Sequence, residues 1–127
     1  MDEHQCILIV DDDERVRFVL NRALLGLQEG YHVETAQSGD EALQKATARP
    51  YDIVITDIVM PGLDGVDLTE AIKHLYPDTV VIWITAHGRY RFQSDERRLD
   101  IYQCLEKPIP VAKIRQVVVG ATGQAKS

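Results

Sequence analysis

Apolar residues along this chain come in two alternating rhythms. Short runs rich in β-branched residues occur at Cys6-Ile7-Leu8-Ile9-Val10, Val33 to Ala36, Ile53-Val54-Ile55-Thr56, Thr79 to Ile84 and Ile101 to Leu105. Runs of this length and composition predict strands buried on both faces. Between them apolar residues recur at helical spacing. Val16, Leu20, Ala23 or Leu24, and Leu27 predict a first helix that Gly30 ends. Ser38-Gly39-Asp40-Glu41 has the shape of a capping box and opens a second helix, which runs to about Ala48 before Arg49-Pro50 breaks it. Asp64 to Leu75 forms a third, with Val66, Leu68, Ala71, Ile72 and Leu75 available for its inner face and Pro77 closing it. Residues 88–99 are due a fourth helix but lack a clean apolar stripe, and Val111, Ile114, Val117 and Val118 predict a short last one. The final ATGQAKS reads as a tail or the start of a linker, leaving one domain over residues 1–120.

Strands alternating with helices imply an α/β fold, a parallel sheet covered by helices on both faces. In such a sheet all strands point the same way, so residues that follow strands become neighbours at one edge, where open α/β sheets build ligand sites. Asp11-Asp12-Asp13 follows the first strand, Asp57 the third, Thr85 the fourth and Lys107 the fifth. Carboxylates gathered in one place repel each other unless positive charge sits among them. Lys107 alone is not enough, and a hard divalent cation such as Mg²⁺ suits oxygen donors of this kind. Acids, a metal, a lysine and a hydroxyl together suit phosphoryl transfer, where the protein mainly positions groups and neutralises charge. Asp57 is then a candidate nucleophile.

Composition narrows the picture. The chain has 127 residues, 45% hydrophobic and 27% charged, which is one globular domain rather than a disordered segment. A net charge of -6 argues against nucleic-acid binding through a general electrostatic footprint. Cys6 and Cys104 sit in apolar runs with no zinc-motif spacing and read as reduced core residues. The start, MDEHQ, is not a leader, and no apolar run approaches the roughly 18 residues a membrane helix needs, so the expectation is a cytoplasmic protein.

ILIVDDDE, TDIVMPGLDG, ITA and EKP occur together, in order and across nearly the whole chain. In this combination the chain resembles the receiver domains of two-component response regulators. The resemblance implies a doubly wound, flavodoxin-like sheet of five strands in the order 2-1-3-4-5. It implies a switch rather than an enzyme: Asp57 takes a phosphoryl group from a histidine kinase or histidine phosphotransfer protein, and the domain assists its own phosphorylation and dephosphorylation. Mg²⁺ would be held by Asp12, by Asp11 through a water, by Asp57 and by the backbone carbonyl of Val59. Thr85 would donate to the phosphoryl group, Lys107 would pair with one of its oxygens, the Lys107-Pro108 bond would be cis, and the small Ala86 would leave Asp57 accessible. Helix four, strand five and helix five would form an output face and a dimer contact, with an effector domain beyond residue 127.

Other positions carry plainer readings. Asp13 is expected to cap helix one, Pro61, Gly62 and Gly65 to shape the loop after Asp57, and Trp83 to pack in the core. His4 and His32 read as surface residues, and His87 borders the mouth of the site. Two departures from the family pattern stand out. Cys104 occupies the strand-five position where an aromatic residue often swings inward on activation, and Tyr102, on the same face by alternation, does not replace it. RYRFQSDERRLD, residues 89–100, is locally basic and irregular, which predicts an irregular fourth helix. The rival readings are a haloacid-dehalogenase-like phosphatase with Asp11 as nucleophile and Asp13 as its second acid, and a flavodoxin-like cofactor binder. The chain lacks the phosphatase's late acidic pair, and no phosphate-cradling loop follows strand one.

Overall fold

A computed structural model of the chain describes residues 5–27, 31–86 and 88–126. Five parallel strands, β1 (Gln5–Val10), β2 (Tyr31–Ala36), β3 (Ile53–Asp57), β4 (Val80–Thr85) and β5 (Gln103–Glu106), form one sheet in the order β2-β1-β3-β4-β5. The helices are α1 (Glu14–Leu25), α2 (Gly39–Ala48), α3 (Gly65–Leu75), a 3-10 turn (Arg89–Phe92) leading into α4 (Gln93–Arg98), and α5 (Val111–Lys126). Alternate strand residues enter two cores. Ile7, Ile9, Ile53, Ile55, Ile82 and Ile84 meet α1 and α5 on one face. Leu8, Val10, Val54, Val81 and Trp83 meet α2 and α3 on the other. Both faces are dry, which is why the central strands read as unbroken apolar runs. The chain leaves β1 toward β2 and returns on the far side at β3, so the strand order reverses between them, and a crevice opens at their carboxyl ends.

Local signals set most helix boundaries. Asp13 caps α1, its carboxylate accepting from the Arg15 amide, as expected. The Ser38 hydroxyl accepts from the Glu41 amide, while Glu41 reaches back to the Gln37 amide. The third-helix expectation shifts by one residue, because Asp64 serves as the cap rather than the first helical residue.

Several expectations need correction. α1 stops at Leu25, where Gly26 caps it and donates to the Arg22 carbonyl; Gly30, the expected stop, lies outside the described residues. Leu75 does not face inward; it is 45% exposed, and Thr69 takes a place on the buried face of α3. The reason is Trp83. Its indole N–H donates to the Thr69 hydroxyl at 2.9 Å, and that hydroxyl donates to the Gly65 carbonyl at 2.7 Å. A buried indole needs such an acceptor. The last helix is not short: α5 continues through residues 121–126, and Ala121 is fully buried in the core, so that stretch is helical rather than an extended linker. β5 starts at Gln103, after Asp100 turns the chain with φ 55°, so Tyr102 precedes the strand instead of lying on it. The fourth helix is irregular as expected, a 3-10 turn followed by six α-helical residues with none buried.

Thr69→Val is expected to destabilise the domain by about 1–3 kcal/mol, because it strands the buried Trp83 N–H while preserving side-chain volume. Urea unfolding with an unchanged slope and a lower midpoint would show it; an unchanged midpoint would mean the indole finds another acceptor.

Candidate functional site

The strand ends deliver the expected residues to one crevice. Asp11 directly follows β1 and is fully buried. Its amide donates to the Ala36 carbonyl at 3.2 Å, and its Oδ1 accepts from the Asp13 amide at 2.8 Å. Its Oδ2 lies 2.9 Å from the Lys107 ammonium and faces no other donor among the described residues. Asp57 ends β3 and is 7% exposed. Its Oδ2 accepts from Lys107 Nζ at 3.1 Å. One ammonium therefore bridges two buried carboxylates. Asp12 is exposed, yet Asp11, Asp12 and Asp57 each place a carboxylate oxygen so that the three lie within 4.8 Å of one another.

The electrostatics are unbalanced. Burial, together with the negative charge of Asp11, raises the Asp57 carboxyl above its usual range; Lys107 and the Val59 amide N–H oppose this without cancelling it. Burial pulls the Lys107 ammonium down, but its hydrogen bonds and attraction to Asp11 and Asp57 prevail and raise it. The cluster is short of positive charge, so a divalent cation among oxygen donors fits the residues present.

Thr85 ends β4, is 1% exposed, and accepts through its carbonyl from the Lys107 amide at 2.7 Å. That bond ties the loop carrying Lys107 to the end of β4. The Lys107-Pro108 bond is cis. The Val59 side chain is 57% exposed while its amide points at Asp57, so the backbone there serves the site and the side chain does not. Ala86 is exposed and, with Lys107, lines a groove of about 440 Å³ between α1 and the loop after β5.

Gly65 earns its place by close approach. A Cβ there would fall 2.3 Å from the Asp57 carbonyl oxygen and 2.7 Å from the Ile58 Cα. Gly39 is equally confined, against the Leu63 carbonyl at 2.1 Å, a constraint that local sequence pattern does not carry. Nor does it carry the role of Arg17, whose guanidinium donates to the Asp11 backbone carbonyl at 2.6 Å. The only sequence signal was a basic residue in the second turn of the helix after the acids.

Away from the crevice, Cys104 is buried beside Trp83, its register partner on β4. Burial, with the nearby Glu96 charge, pushes its thiol up to about 11, so it stays protonated at neutral pH. The Tyr102 phenol sits against α5 at Gly120. His32 is exposed and bonded to Glu34 at 3.0 Å; His4 and His87 lie outside the described residues. The phosphatase alternative loses its second acid, because the Asp13 carboxylate is exposed and engaged in capping α1.

Comparison with known proteins agrees with this geometry. Residues 7–119 match the family model described as the response regulator receiver domain. The chain is 38% identical over 103 residues to the DNA-binding transcriptional regulator NtrC of Klebsiella pneumoniae, which covers 81% of this chain and 22% of that protein. It is 32% identical over 112 residues to sporulation initiation phosphotransferase F of Bacillus subtilis, covering 88% of this chain and 89% of that one. Among solved structures, the signal receiver domain of an HD domain-containing protein from Pseudomonas fluorescens Pf-5 superimposes with a TM-score of 0.89 at 26% identity, covering 97% and 98% of the two chains. NtrX from Brucella abortus gives 0.86 at 30% identity, covering 97% of this chain and 28% of that one. No helix among the described residues is long and apolar enough to cross a membrane. With the strand order, the acid cluster and the bridging lysine all in place, the chain belongs to the response regulator receiver domain family, the phosphoacceptor switch domains of two-component signalling.

Proposed function

We propose that Asp57 is the phosphoacceptor. The observation that carries this reading is the Lys107 ammonium held between the buried carboxylates of Asp11 and Asp57, beside the third acid, Asp12. An Asp57 carboxylate oxygen attacks the phosphorus of a phosphohistidine on a histidine kinase or phosphotransfer protein. The P–N bond breaks, the mixed anhydride forms, and the departing imidazole keeps the electron pair and takes up a proton. Asp11, Asp12, Asp57 and the Val59 carbonyl are the groups to hold Mg²⁺, directly or through water, and when bound it neutralises charge on the phosphoryl oxygens. Lys107 pairs with a phosphoryl oxygen while keeping Asp11 as its second partner. The Thr85 hydroxyl donates to another oxygen, and the bond from the Lys107 amide to the Thr85 backbone carbonyl couples the ends of β4 and β5 as that charge arrives. The same groups assist hydrolysis of the anhydride.

The chain spans 22% of the length of the NtrC relatives. An effector domain elsewhere in the full polypeptide, a kinase as donor, cytoplasmic location and an output or dimer face at α4, β5 and α5 belong to the same proposal. The test uses a small phosphodonor. With Mg²⁺ and acetyl phosphate, intact mass spectrometry is expected to show one base-labile phosphoryl adduct, slower to form in Asp11→Asn but still present. Absence of the adduct in the native sequence, or phosphate-ester turnover that depends on Asp11, would overturn the assignment.

A further inference from the structure

We propose that Arg17 is a positioning residue for the metal-binding acids, acting on Asp12 through the backbone; this rests on the reading of the acid cluster as a divalent-cation site. Among the described residues, three hydrogen bonds and one ion pair hold Asp11. Its amide bonds the Ala36 carbonyl, Oδ1 takes the Asp13 amide, Oδ2 faces Lys107, and its backbone carbonyl takes Arg17 Nη1 at 2.6 Å. Three of these belong to the sheet, the loop or the site itself. Arg17 alone reaches in from outside, one turn along α1.

What the Arg17 bond fixes is a peptide plane. The Asp11 carbonyl, the Asp12 amide and the Asp12 Cα are coplanar, so anchoring that oxygen sets the direction from which the Asp12 side chain departs. Asp12 needs such an anchor. It is exposed, and among the described residues its carboxylate has no hydrogen-bond or ion-pair partner, yet it lies within 4.8 Å of the Asp11 and Asp57 oxygens. Three carboxylates that close repel. Without a restraint on its backbone the outermost would swing into water. Arg17 is half-buried and forms no ion pair with a carboxylate among the described residues, so its guanidinium serves the carbonyl rather than neutralising an acid.

Charge and positioning predict opposite signs, which makes the inference testable. Removing a cation near a cation site strengthens metal binding if electrostatics alone matters. Removing an anchor behind a ligand weakens it, typically by roughly tenfold to a hundredfold. Mn²⁺ binding to the full chain, counted by electron paramagnetic resonance as a stand-in for Mg²⁺, is the readout, with thermal unfolding as the check on folding. Arg17→Met is expected to weaken Mn²⁺ binding within that range. Arg17→Lys, which keeps a long donor, recovers most of the affinity. Arg17→Gln is too short to reach the carbonyl and behaves like Arg17→Met, so it decides the matter if the methionine variant does not fold. Equal or tighter Mn²⁺ binding in a folded Arg17→Met or Arg17→Gln overturns the positioning role while leaving the metal site standing. If the native sequence binds no Mn²⁺, or Asp12→Asn binds it as well as the native sequence does, the metal reading and this inference fall together.

Discussion

Asp57→Asn is expected to abolish the phosphoryl adduct and, in the absence of divalent cation, to leave the domain more stable at neutral pH than the native sequence. The first half is chemical: an amide has no carboxylate oxygen with which to form the anhydride, and Asp11 is fully buried with both oxygens engaged. The second half follows from linkage. Burial is the largest influence on Asp57 and raises its carboxyl above the ordinary value of 3.8, despite the attraction of Lys107. The folded state therefore binds that proton more tightly than the unfolded chain does. Stability from this residue is greatest at low pH, is lost as the pH rises from the ordinary carboxylate range through the raised value, and is flat above it. Asparagine does not ionise and escapes that loss, while Lys107 keeps Asp11 at 2.9 Å. Melting temperatures measured across pH are expected to show the variant above the native sequence at neutrality, with the gap closing on acidification. On the proposed reading of the acid cluster as a cation site, added Mg²⁺ should then raise the native protein more than the variant, which has lost one of the proposed ligands. A variant less stable at neutral pH would mean that the Lys107 pairing outweighs the cost of burying the charge.

The sheet and the crevice were legible in the sequence for one physical reason. Helices cover both faces, so β1, β3 and β4 had to be continuously apolar, and the first polar residue after each run had to emerge at the carboxyl edge. Asp11, Asp57 and Thr85 could be placed that way without any measured distance, and Lys107 followed from the β5 run. What escaped were features set by neighbours rather than by local pattern. Thr69 faces the core because Trp83, 14 residues away, needs an acceptor. Residues 121–126 have the small, polar composition of a linker, yet Ala121 continues the buried stripe of Ile114, Val117 and Val118 and carries α5 onward. Gly30 was the expected stop of the first helix, yet the Gly26 amide bonds the Arg22 carbonyl and α1 ends at Leu25. The fourth helix was correctly irregular, since the apolar residues of its neighbourhood that pack against the core, Phe92, Leu99 and Ile101, are only partly buried. Arg17 left only its place after the acids as a trace, because a side chain bonding a backbone carbonyl has no periodic signature.

Gly65→Ala is the substitution expected to damage fold and site together. In an ordinary helix the change from glycine to alanine gains up to about 1 kcal/mol. Here the added methyl would meet the Asp57 carbonyl oxygen at 2.3 Å and the Ile58 Cα at 2.7 Å, both backbone atoms that have no rotamer to yield. The start of α3 is also fastened to the next peptide by the Gly65 amide, which donates to the Ile58 carbonyl at 2.7 Å. Relief requires moving the helix away from β3 or the Asp57 peptide away from the crevice. Overpacking of this kind costs about 1–3 kcal/mol, and with two unyielding backbone atoms in the way the upper end applies, so the steric term exceeds the propensity gain and a net loss of about 2 kcal/mol is expected in denaturant unfolding. The effect on phosphorylation separates two ways of disturbing the same region. Thr69→Val breaks the chain from Trp83 to the Gly65 carbonyl but touches no atom of Asp57, so the acetyl-phosphate reaction should run near its native rate once the variant is folded. Gly65→Ala presses on the Asp57 peptide itself, and its adduct should form slowly even where the protein remains folded. Equal rates in the two folded variants would mean that α3 gives way instead of β3, and that the Asp57 carboxylate is held by Lys107 and the acid cluster independently of its own backbone.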